Sequence, residues 1–598
     1  MRHPTPLFVA TRSPSFLRTF RRVFVSNSFG NSATEEEIYS TLLRRYAETS
    51  DSDHGRAIHA KFIKGSPPFS LFLSNHLLNM YAKCGDIVNG LQLFEEMPKK
   101  NVVSWSAAIA GLVQHGRPCE ALSLFCRMHR DGTTKPNEFT LVSALHACSL
   151  LENLTRAYQI YPFIVRLGFE SNIFLMNAFL TALIRHGELA EALEVFENCP
   201  NKDIVSWNAM MAGFLQFSFS DIPEFWRRMI GEGVEPDNFS FASVLTGLAA
   251  FSDLELGLQV HSQLVKCGYG VEICVGNSLA DMYIKNQKLV EGFKAFDEMP
   301  MRDVCSWTQM AAGCLQCGEP SKALEVIAEM KKIGVKPNKF TLATALNACS
   351  NLASLEEGKK VHALRIKLGT DIDVCVDNAL LDMYAKCGCV DSAWAVFCSM
   401  NDHSIVSWTT MIMAYAINGQ ARKALKIYDE MRLKGVQPNY ITFISVLYAC
   451  GQGGLVDEGW ELFSSMTSDY GITPQEDHYA CMVNLLGRAG CIKEAEELIL
   501  RMPFQPGLLV WKTLLGACHV YGDMEIGKRA AEHVLNLDRK DPSTYVVLSN
   551  LFAGFSNWDS VGMMRELMDT RDVKKMPGSS WIEIEKNPSL LPKFGGFM

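Results

Sequence analysis

A unit of about 101 residues repeats along this chain, and this period limits the possible folds more than any other feature of the sequence. Tryptophans in similar settings mark the unit at spacings of 102, 100 and 101 residues: Trp105, Trp207, Trp307 and Trp408. A second series, His59, His261 and His362, has separations of 202 and 101 residues. Long internal periods are typical of proteins built from stacked supersecondary units rather than around one compact core.

Each unit divides into three segments, for example residues 304–338, 339–373 and 374–404. Every segment opens with a hydrophobic helix, breaks near a glycine and continues with a second helix. One such pair cannot bury its apolar side alone, but stacked pairs share a continuous core. The sequence therefore predicts an all-α fold, a right-handed α-solenoid superhelix of stacked helix-turn-helix repeats whose first helices line a concave inner surface.

Composition is typical of a soluble folded protein, because 48% of the 598 residues are hydrophobic and 20% are charged. The 19 cysteines show no disulfide framework, which indicates a reducing intracellular compartment. There is no apolar run of about 18 residues, so we expect no membrane span.

The N-terminal segment differs from the rest of the chain. Before Glu35 it has no acidic residue and five arginines: Arg2, Arg12, Arg18, Arg21 and Arg22. An arginine-rich, serine-rich, amphipathic segment predicts an organelle transit peptide, and a disordered basic tail is the alternative. The amphipathic arginine helix favours the mitochondrion over the chloroplast. Without these arginines the formal charge falls from −8 to −8 − 5 = −13, which argues against loose, charge-driven nucleic-acid binding.

Several motifs resemble those of a known family. The stretches "FTLATALNACSNLASLEEGKKVHALRIKLG" and "NALLDMYAKCG" are similar to plant pentatricopeptide repeats of the PLS type, in which standard, long and short repeats alternate. The resemblance covers residues 36–583 and implies a repeat array over 36–507 and an E-type helical extension over 508–583. Residues 1–35 would be the transit or disordered segment, and 584–598 a short divergent tail.

The resemblance implies that each standard or short repeat binds one RNA base, as this repeat class does. The second residue would stack on the base: Phe72, Val103, Phe174, Val205, Cys274, Cys305, Cys375 and Val406. The fifth and last residues would read its edge: Asn75 with Asn101, Ser106 with Asn137, Asn177 with Asp203, Asn208 with Asp237, Asn277 with Asp303, Thr308 with Asn338, Asn378 with Ser404, and Thr409 with Asn439.

All sixteen reading positions hold Asn, Asp, Ser or Thr, the residues that also favour helix N-caps. Capping explains the last residues as well as base reading does, but it explains the fifth residues poorly. In the long repeats the fifth positions are Val142, Ala242 and Ala343, so the fold does not require a polar residue there.

By the same resemblance, Asn with Asp favours uracil, Asn with Asn or Ser a pyrimidine, and Thr or Ser with Asn adenine. With the long repeats unassigned, the sequence predicts the target 5′-Y A n U U n U A n C A-3′ in chain order. The pair Asn208–Asp237 is the weakest assignment, because its repeat is one residue short and carries Pro223 in a helical region.

The sequence predicts no catalytic residues, metal or cofactor. Zinc deaminases need an H-x-E motif close to a C-x-x-C motif. The only C-x-x-C here, Cys314 to Cys317, ends a predicted first helix and has no H-x-E near it.

The E-type resemblance therefore implies a non-enzymatic site-recognition factor for C-to-U editing of organelle RNA. Its partners would be single-stranded RNA, a DYW-type deaminase acting in trans and other editing factors, with no membrane. An RNA stability, processing or splicing factor would use the same repeats without an E-type extension. A peptide-binding helical scaffold would not restrict polar pairs to two classes of repeat.

Overall fold

The computed structural model describes residues 35–64, 70–151, 155–369, 373–539, 541–571 and 573. The predicted transit segment, apart from its last residue, and the predicted tail lie outside the described residues. Within the described part the chain forms 32 α-helices and two short 3₁₀ turns, and no strand. The predicted all-α fold of helix-turn-helix repeats is confirmed.

The chain divides into two compact units, Met1–Tyr269 and Gly270–Met598. Fourteen helices belong to the first: α1 (Glu35–Thr49), α2 (Ser52–Lys64), α3 (Leu71–Lys83), α4 (Ile87–Glu96), α5 (Val102–Gln114), α6 (Pro118–Asp131), α7 (Glu138–Ser149), α8 (Thr155–Arg166), α9 (Ile173–Arg185), α10 (Leu189–Asn198), α11 (Ile204–Phe217), α12 (Ile222–Gly231), α13 (Asn238–Phe251) and α14 (Leu254–Cys267).

Eighteen helices belong to the second unit: α15 (Ile273–Lys285), α16 (Leu289–Glu298), α17 (Val304–Gln316), α18 (Pro320–Lys332), α19 (Lys339–Asn351), α20 (Leu355–Leu368), α21 (Val374–Lys386), α22 (Val390–Ser399), α23 (Ile405–Ile417), α24 (Ala421–Leu433), α25 (Tyr440–Gly453), α26 (Val456–Ser468), α27 (Glu476–Arg488), α28 (Ile492–Leu500), α29 (Leu508–Tyr521), α30 (Met524–Leu537), α31 (Pro542–Gly554) and α32 (Trp558–Thr570).

Odd-numbered helices are the first helices of their hairpins, and even-numbered helices are the second. Within each unit, successive first helices pack against one another and form one continuous layer. Each second helix packs mainly on its own partner and on the first helix that follows. The N-termini of the first helices therefore lie along one edge of this layer, where the predicted base-reading residues are placed.

Aromatic pairs explain the period of about 101 residues. Each repeated tryptophan is buried and meets a phenylalanine from the preceding second helix edge to face: Phe94–Trp105, Phe196–Trp207, Phe296–Trp307 and Phe397–Trp408, with ring centroids 4.9, 4.9, 4.9 and 5.0 Å apart. Edge-to-face contacts of this kind add to the stabilisation from apolar burial. Each pair joins one hairpin to the next, so the period reflects packing between repeats.

The repeated histidines also serve packing. His59 Nδ1 lies 2.8 Å from the Tyr81 hydroxyl, and His362 Nδ1 lies 2.9 Å from the Tyr384 hydroxyl. Both bonds join a second helix to the first helix that follows it. Burial lowers the pKa of both imidazoles.

Glycines close the hairpin turns, as the sequence predicted. Gly85 and Gly388, one residue past the caps of α3 and α21, have φ of 84° and 77°. Side chains other than hydrogen are disfavoured in this left-handed region, which is why glycine recurs there. Among the described helices none is both long and apolar enough to cross a bilayer.

Candidate nucleic-acid interface

A row of exposed apolar side chains occupies the second position of the first helices. All eight predicted stacking residues lie there with exposed side chains, at 51% for Phe72 and Val103 and 75% for Phe174. Single exposed apolar side chains are normal on protein surfaces, but exposure at the same position of successive helices is informative because such clusters mark interaction sites. The prediction that they stack on bases stays a prediction, but their geometry leaves them free to do so.

The long repeats carry four more such residues that the sequence reasoning missed. Phe139, Phe239, Phe340 and Ile441 occupy the second positions of α7, α13, α19 and α25 and are all exposed, at 72, 65, 58 and 55%. The signal was available in the sequence, because these residues share the register of the eight. Their non-polar fifth positions distinguish these repeats from the other eight.

All eight predicted last residues are helix N-caps. The side-chain oxygen of each accepts a hydrogen bond from the backbone N–H of the third helical residue. In the seven Asn and Asp caps, every recorded hydrogen bond to the side chain goes to Oδ1. The second polar atom, Nδ2 in Asn or Oδ2 in Asp, is left for another partner. Capping and base reading are therefore compatible in one residue.

The fifth residues lie one turn into their helices, and three asparagines among them are bonded to the following cap. Asn75 Nδ2 donates to Asn101 Oδ1 (3.2 Å), Asn177 Nδ2 to Asp203 Oδ1 (3.1 Å) and Asn208 Nδ2 to Asp237 Oδ1 (3.0 Å). The structure thus brings together residues 26 to 29 positions apart.

The pair Asn208–Asp237 is as regular as the others despite its short repeat. Pro223 lies in the first turn of α12, directly after a 3₁₀ turn, Phe219–Asp221. Proline is tolerated in the first turn because its missing N–H would have no helical partner there. The irregularity is therefore confined to the second helix and does not reach the reading pair.

The hydroxyl residues at the fifth position are held differently. Ser106, Thr308 and Thr409 donate to the backbone carbonyls of Val102, Val304 and Ile405, at 2.8, 2.7 and 2.8 Å. Ser106 Oγ also lies 3.1 Å from Asn137 Oδ1, a second acceptor. A hydroxyl has a single proton, so once that proton is donated to either acceptor the residue offers only lone pairs to a ligand. These three positions therefore present an acceptor.

In six of the eight sites the residue at the third helical position contacts the preceding fifth residue, and the sequence reasoning missed it. Thr140, Thr341 and Thr442 lie 2.6, 2.7 and 2.9 Å from the hydroxyls of the preceding fifth residues. Each threonine hydroxyl also bonds the cap Oδ1, at 2.7 to 3.0 Å. We call the fifth residue of a repeat its reader. Where the reader is Asn75, Asn177 or Asn208, a serine occupies the third helical position of the next repeat and makes the equivalent contact. The signal was the S/T three residues after every cap, which reads as an ordinary capping box.

Four predicted pairs have no direct side-chain hydrogen bond among the described contacts. Thr308 and Thr409 reach their caps only through Thr341 and Thr442, and the other two pairs lack such a link. Asn277 makes no side-chain hydrogen bond with Asp303, and Asn378 makes none with Ser404 among the described contacts. The Asn378 Oδ1 atom is buried and has no hydrogen-bond partner. A buried carbonyl oxygen without a partner is costly, so this amide is poised to gain one.

The electrostatics of Asp203 favour its charged form. Burial alone would raise the pKa of Asp203, but hydrogen bonds from the Ser206 backbone, the Asn177 amide and the Ser206 hydroxyl together outweigh it and hold the pKa below its usual value. The carboxylate therefore stays ionised, and Oδ2 acts only as an acceptor.

The cysteine pair of the sequence motif lies in helix packing. Burial raises the pKa of the Cys314 thiol to about 11, and Cys317 Sγ donates to the Ile284 carbonyl. The chain's one H-x-E, His186 to Glu188, is a helix end whose imidazole contacts the Ala182 and Leu151 carbonyls. The described residues contain no group of three or more His, Cys, Asp or Glu able to hold a metal ion.

Comparisons with known families match most of the repeats. The "PPR repeat" profile matches residues 72–102, 103–133, 174–204, 277–304, 378–405, 441–470 and 477–504. The "PPR repeat family" profile matches 302–351 and 403–452, and the "E motif" profile matches 521–583.

Three curated relatives from Arabidopsis thaliana are 33 to 36% identical to this chain over the aligned residues. A putative pentatricopeptide repeat-containing protein is 36% identical over 91% of this chain and 80% of its own length. A mitochondrial member is 34% identical over 92% and 72%, and a chloroplastic member 33% identical over 92% and 63%. The chain thus spans less than two thirds of the chloroplastic relative.

Solved structures show the same fold at low identity. The crystal structure of the pentatricopeptide repeat protein PPR10 from maize is 18% identical, with a TM-score of 0.53 over 91% of this chain and 85% of that one. A second structure of PPR10, in complex with an 18-nucleotide psaJ RNA element, is 16% identical, with a TM-score of 0.50 over 94% and 92%.

Proposed function

Because this chain belongs to the pentatricopeptide repeat family and carries an E motif, we propose that it recognises one single-stranded RNA sequence in an organelle. Bound there, it marks a nearby cytidine for C-to-U editing. The array supplies site recognition, and a DYW-type deaminase in trans supplies the chemistry. Relatives named mitochondrial and chloroplastic support an organelle, and the basic N-terminal segment favours the mitochondrion.

The observation that carries the proposal is that the cap and reader side chains still have polar atoms without a recorded hydrogen-bond partner after the capping bonds are formed. With an Asp cap and an Asn reader, the remaining groups are a carboxylate Oδ2 and an amide N–H. Side by side, these accept from and donate to a base that presents an N–H next to a carbonyl oxygen, as uracil does. This is the base that the sequence predicts opposite Asn177–Asp203, Asn208–Asp237 and Asn277–Asp303.

An asparagine cap presents a different group to the base than an aspartate cap does. Its Oδ1 is occupied by capping, so the outward group is the Nδ2 donor. Combined with the acceptor hydroxyl of Thr308 or Thr409, it matches adenine, which presents an amino donor beside the N1 acceptor. Combined with the amide of Asn75 it presents two donors, which suit the N3 and O2 acceptors of cytosine. The capping bonds thus supply a physical reason for the base preferences.

Exposed apolar side chains beside each reading pair support the same proposal. Base stacking on such side chains contributes affinity without sequence preference. The chain is acidic overall, so we expect stacking and edge contacts, rather than loose charge-driven attraction, to supply most of the affinity. We therefore expect the affinity to fall only weakly with added salt.

Binding to the predicted RNA tests the recognition step. We expect the purified chain to bind 5′-YAnUUnUAnCA-3′ at least 100-fold more tightly than its scrambled version, because each mismatched base costs about 1–3 kcal/mol in specific complexes. Fluorescence anisotropy with labelled RNAs measures this ratio. Equal affinity for the two RNAs would refute the proposal.

Editing in a null mutant tests the second step. Transcriptome sequencing should show one or a few cytidines unedited, each just downstream of a match to the predicted sequence. Intact editing together with altered transcript ends or retained introns would instead identify a stability or splicing factor. The E motif is the feature that favours editing over that alternative.

The exposed cysteines give a chemical test of the RNA face. Cys274, Cys305 and Cys375 lie at stacking positions and are exposed, so a maleimide should label all three. Bound target RNA should slow their labelling at least fivefold. Cys119 and Cys126, exposed on the second helix α6, are the matched controls and should label at the same rate with and without RNA. Mass spectrometry of peptides distinguishes the sites, and equal protection of the controls would contradict this placement.

A further inference from the structure

The third helical residue of a repeat reaches back to the reader of the repeat before it. Ser104, Ser206 and Ser240 donate from Oγ to Oδ1 of Asn75, Asn177 and Asn208, at 2.6, 2.7 and 2.7 Å. The same three hydroxyl oxygens lie 3.0, 2.8 and 2.9 Å from Oδ1 of the intervening cap. All three serines are buried, with 0, 1 and 0% exposure.

These contacts fix which way the reader's amide faces. Rotation by 180° about the last side-chain bond exchanges an amide's oxygen and nitrogen, and so exchanges acceptor for donor. With the serine donating to Oδ1 and the cap Oδ1 accepting from Nδ2, rotation would set two acceptor oxygens against each other at the cap and remove the bond from the serine to Oδ1. The second N–H of the reader's Nδ2, which is not bonded to the cap, is then always presented to a bound base.

Two other asparagine readers lack this anchor. Ser306 forms the same capping box with Asp303 but makes no hydrogen bond to Asn277. Ser407 lies 3.0 Å from the Ser404 hydroxyl, and Asn378 Oδ1 remains without a partner. The local sequence is of the same kind in both groups, so the difference lies in the contact between neighbouring repeats.

We propose that the buried hydroxyl at the third helical position is a positioning residue for base recognition, acting on the reader of the preceding repeat. This inference rests on the proposed RNA-binding function and refines it. The anchored readers that pair with an aspartate cap, Asn177 and Asn208, discriminate sharply between uracil and cytosine. Unanchored readers, Asn277 and Asn378, have an amide that turns to either orientation and discriminate less.

The chain offers a matched pair of variants for the test. Ser206→Ala removes a cap hydroxyl together with the bond to Asn177, whereas Ser306→Ala removes an equivalent cap hydroxyl and no bond to a reader. Both variants therefore lose the same capping contact, and thermal unfolding should report similar, small losses. Only the first should lose amide orientation.

Affinities are measured with RNAs that carry uracil or cytosine at the fourth base, opposite Asn177, or at the seventh, opposite Asn277. We expect the uracil-to-cytosine affinity ratio at the fourth base to fall about fivefold or more in Ser206→Ala, which is within the discrimination of one good base contact. The ratio at the seventh base should be unchanged in Ser306→Ala. Ser206→Thr, which keeps the hydroxyl, should restore the ratio at the fourth base.

Two outcomes would overturn the inference. One is an unchanged ratio in Ser206→Ala. The other is an equal fall in both alanine variants, which would assign the effect to the cap alone. A wild-type chain without base preference at any reading position would reject the proposed function itself, and this inference with it.

Discussion

Asp203→Asn will change the preferred base opposite its repeat from uracil to cytosine. Asparagine keeps the Oδ1 acceptor that caps α11, as Asn101 and Asn137 show at their own helices. The outward group changes from a carboxylate oxygen to an amide donor, which reverses its match to the ring nitrogen of a pyrimidine. A single well-placed edge contact discriminates by about 1–3 kcal/mol, so the uracil-to-cytosine affinity ratio should shift by about 5- to 150-fold.

Fluorescence anisotropy with RNAs that vary only at the fourth base measures this shift. Asp253→Asn is the matched control, because Asp253 caps the second helix α14 with the same bond to the third backbone N–H. Asp253→Asn removes one negative charge, as Asp203→Asn does, but Asp253 is not one of the predicted base-reading residues. It should therefore leave the uracil-to-cytosine affinity ratio unchanged at every base. A variant of Asp203 that keeps the uracil preference would show that this cap does not read the base.

Trp408→Ala will destabilise the second unit far more than any change in the reading row. Trp408 is 1% exposed and packs edge to face on Phe397, with ring centroids 5.0 Å apart. Removing a fully buried aromatic side chain costs about 3–5 kcal/mol, through lost burial and the cavity that remains. Since stability in a stack of repeats depends on contacts between neighbours, RNA affinity should fall for all sequences together.

Val406→Ala, on the same helix, is the control for that prediction. Val406 is 53% exposed, so the free energy of unfolding should change by less than about 0.5 kcal/mol. Its effect should appear in RNA affinity alone. Denaturant unfolding followed by circular dichroism compares the two variants. Similar losses of stability would contradict the assignment of Trp408 to the packed core and of Val406 to the exposed RNA-binding face.

The sequence was sufficient to predict the scaffold because the relevant interactions are local or strictly periodic. Repeated tryptophans, hairpin glycines and cap residues recur at fixed spacing, and each has its effect within one or two helices. The same register placed Phe72, Phe174 and the other stacking candidates at one exposed position. The same register also holds Phe139, Phe239, Phe340 and Ile441, whose exposure depends on the tertiary structure.

It was harder to predict that the last residue of a repeat can cap a helix and still have a polar atom available for a base. Asn101 or Asp203 in a sequence can be read either as a cap or as a reader, because both uses favour the same residue types. The structure shows that one oxygen serves the cap while the second polar atom stays available. The two interpretations therefore do not exclude each other.

By itself, the sequence determined the family, the all-α repeats and the positions of the polar and apolar rows. Only the tertiary structure decided which readers are anchored. Asp203–Ser206 and Asp303–Ser306 have the same local pattern and the same capping box, yet only Ser206 bonds the asparagine of the preceding repeat. That bond joins residues 29 positions apart. It depends on how closely two neighbouring helices pack, and hydrogen bonding falls off within a few tenths of an ångström.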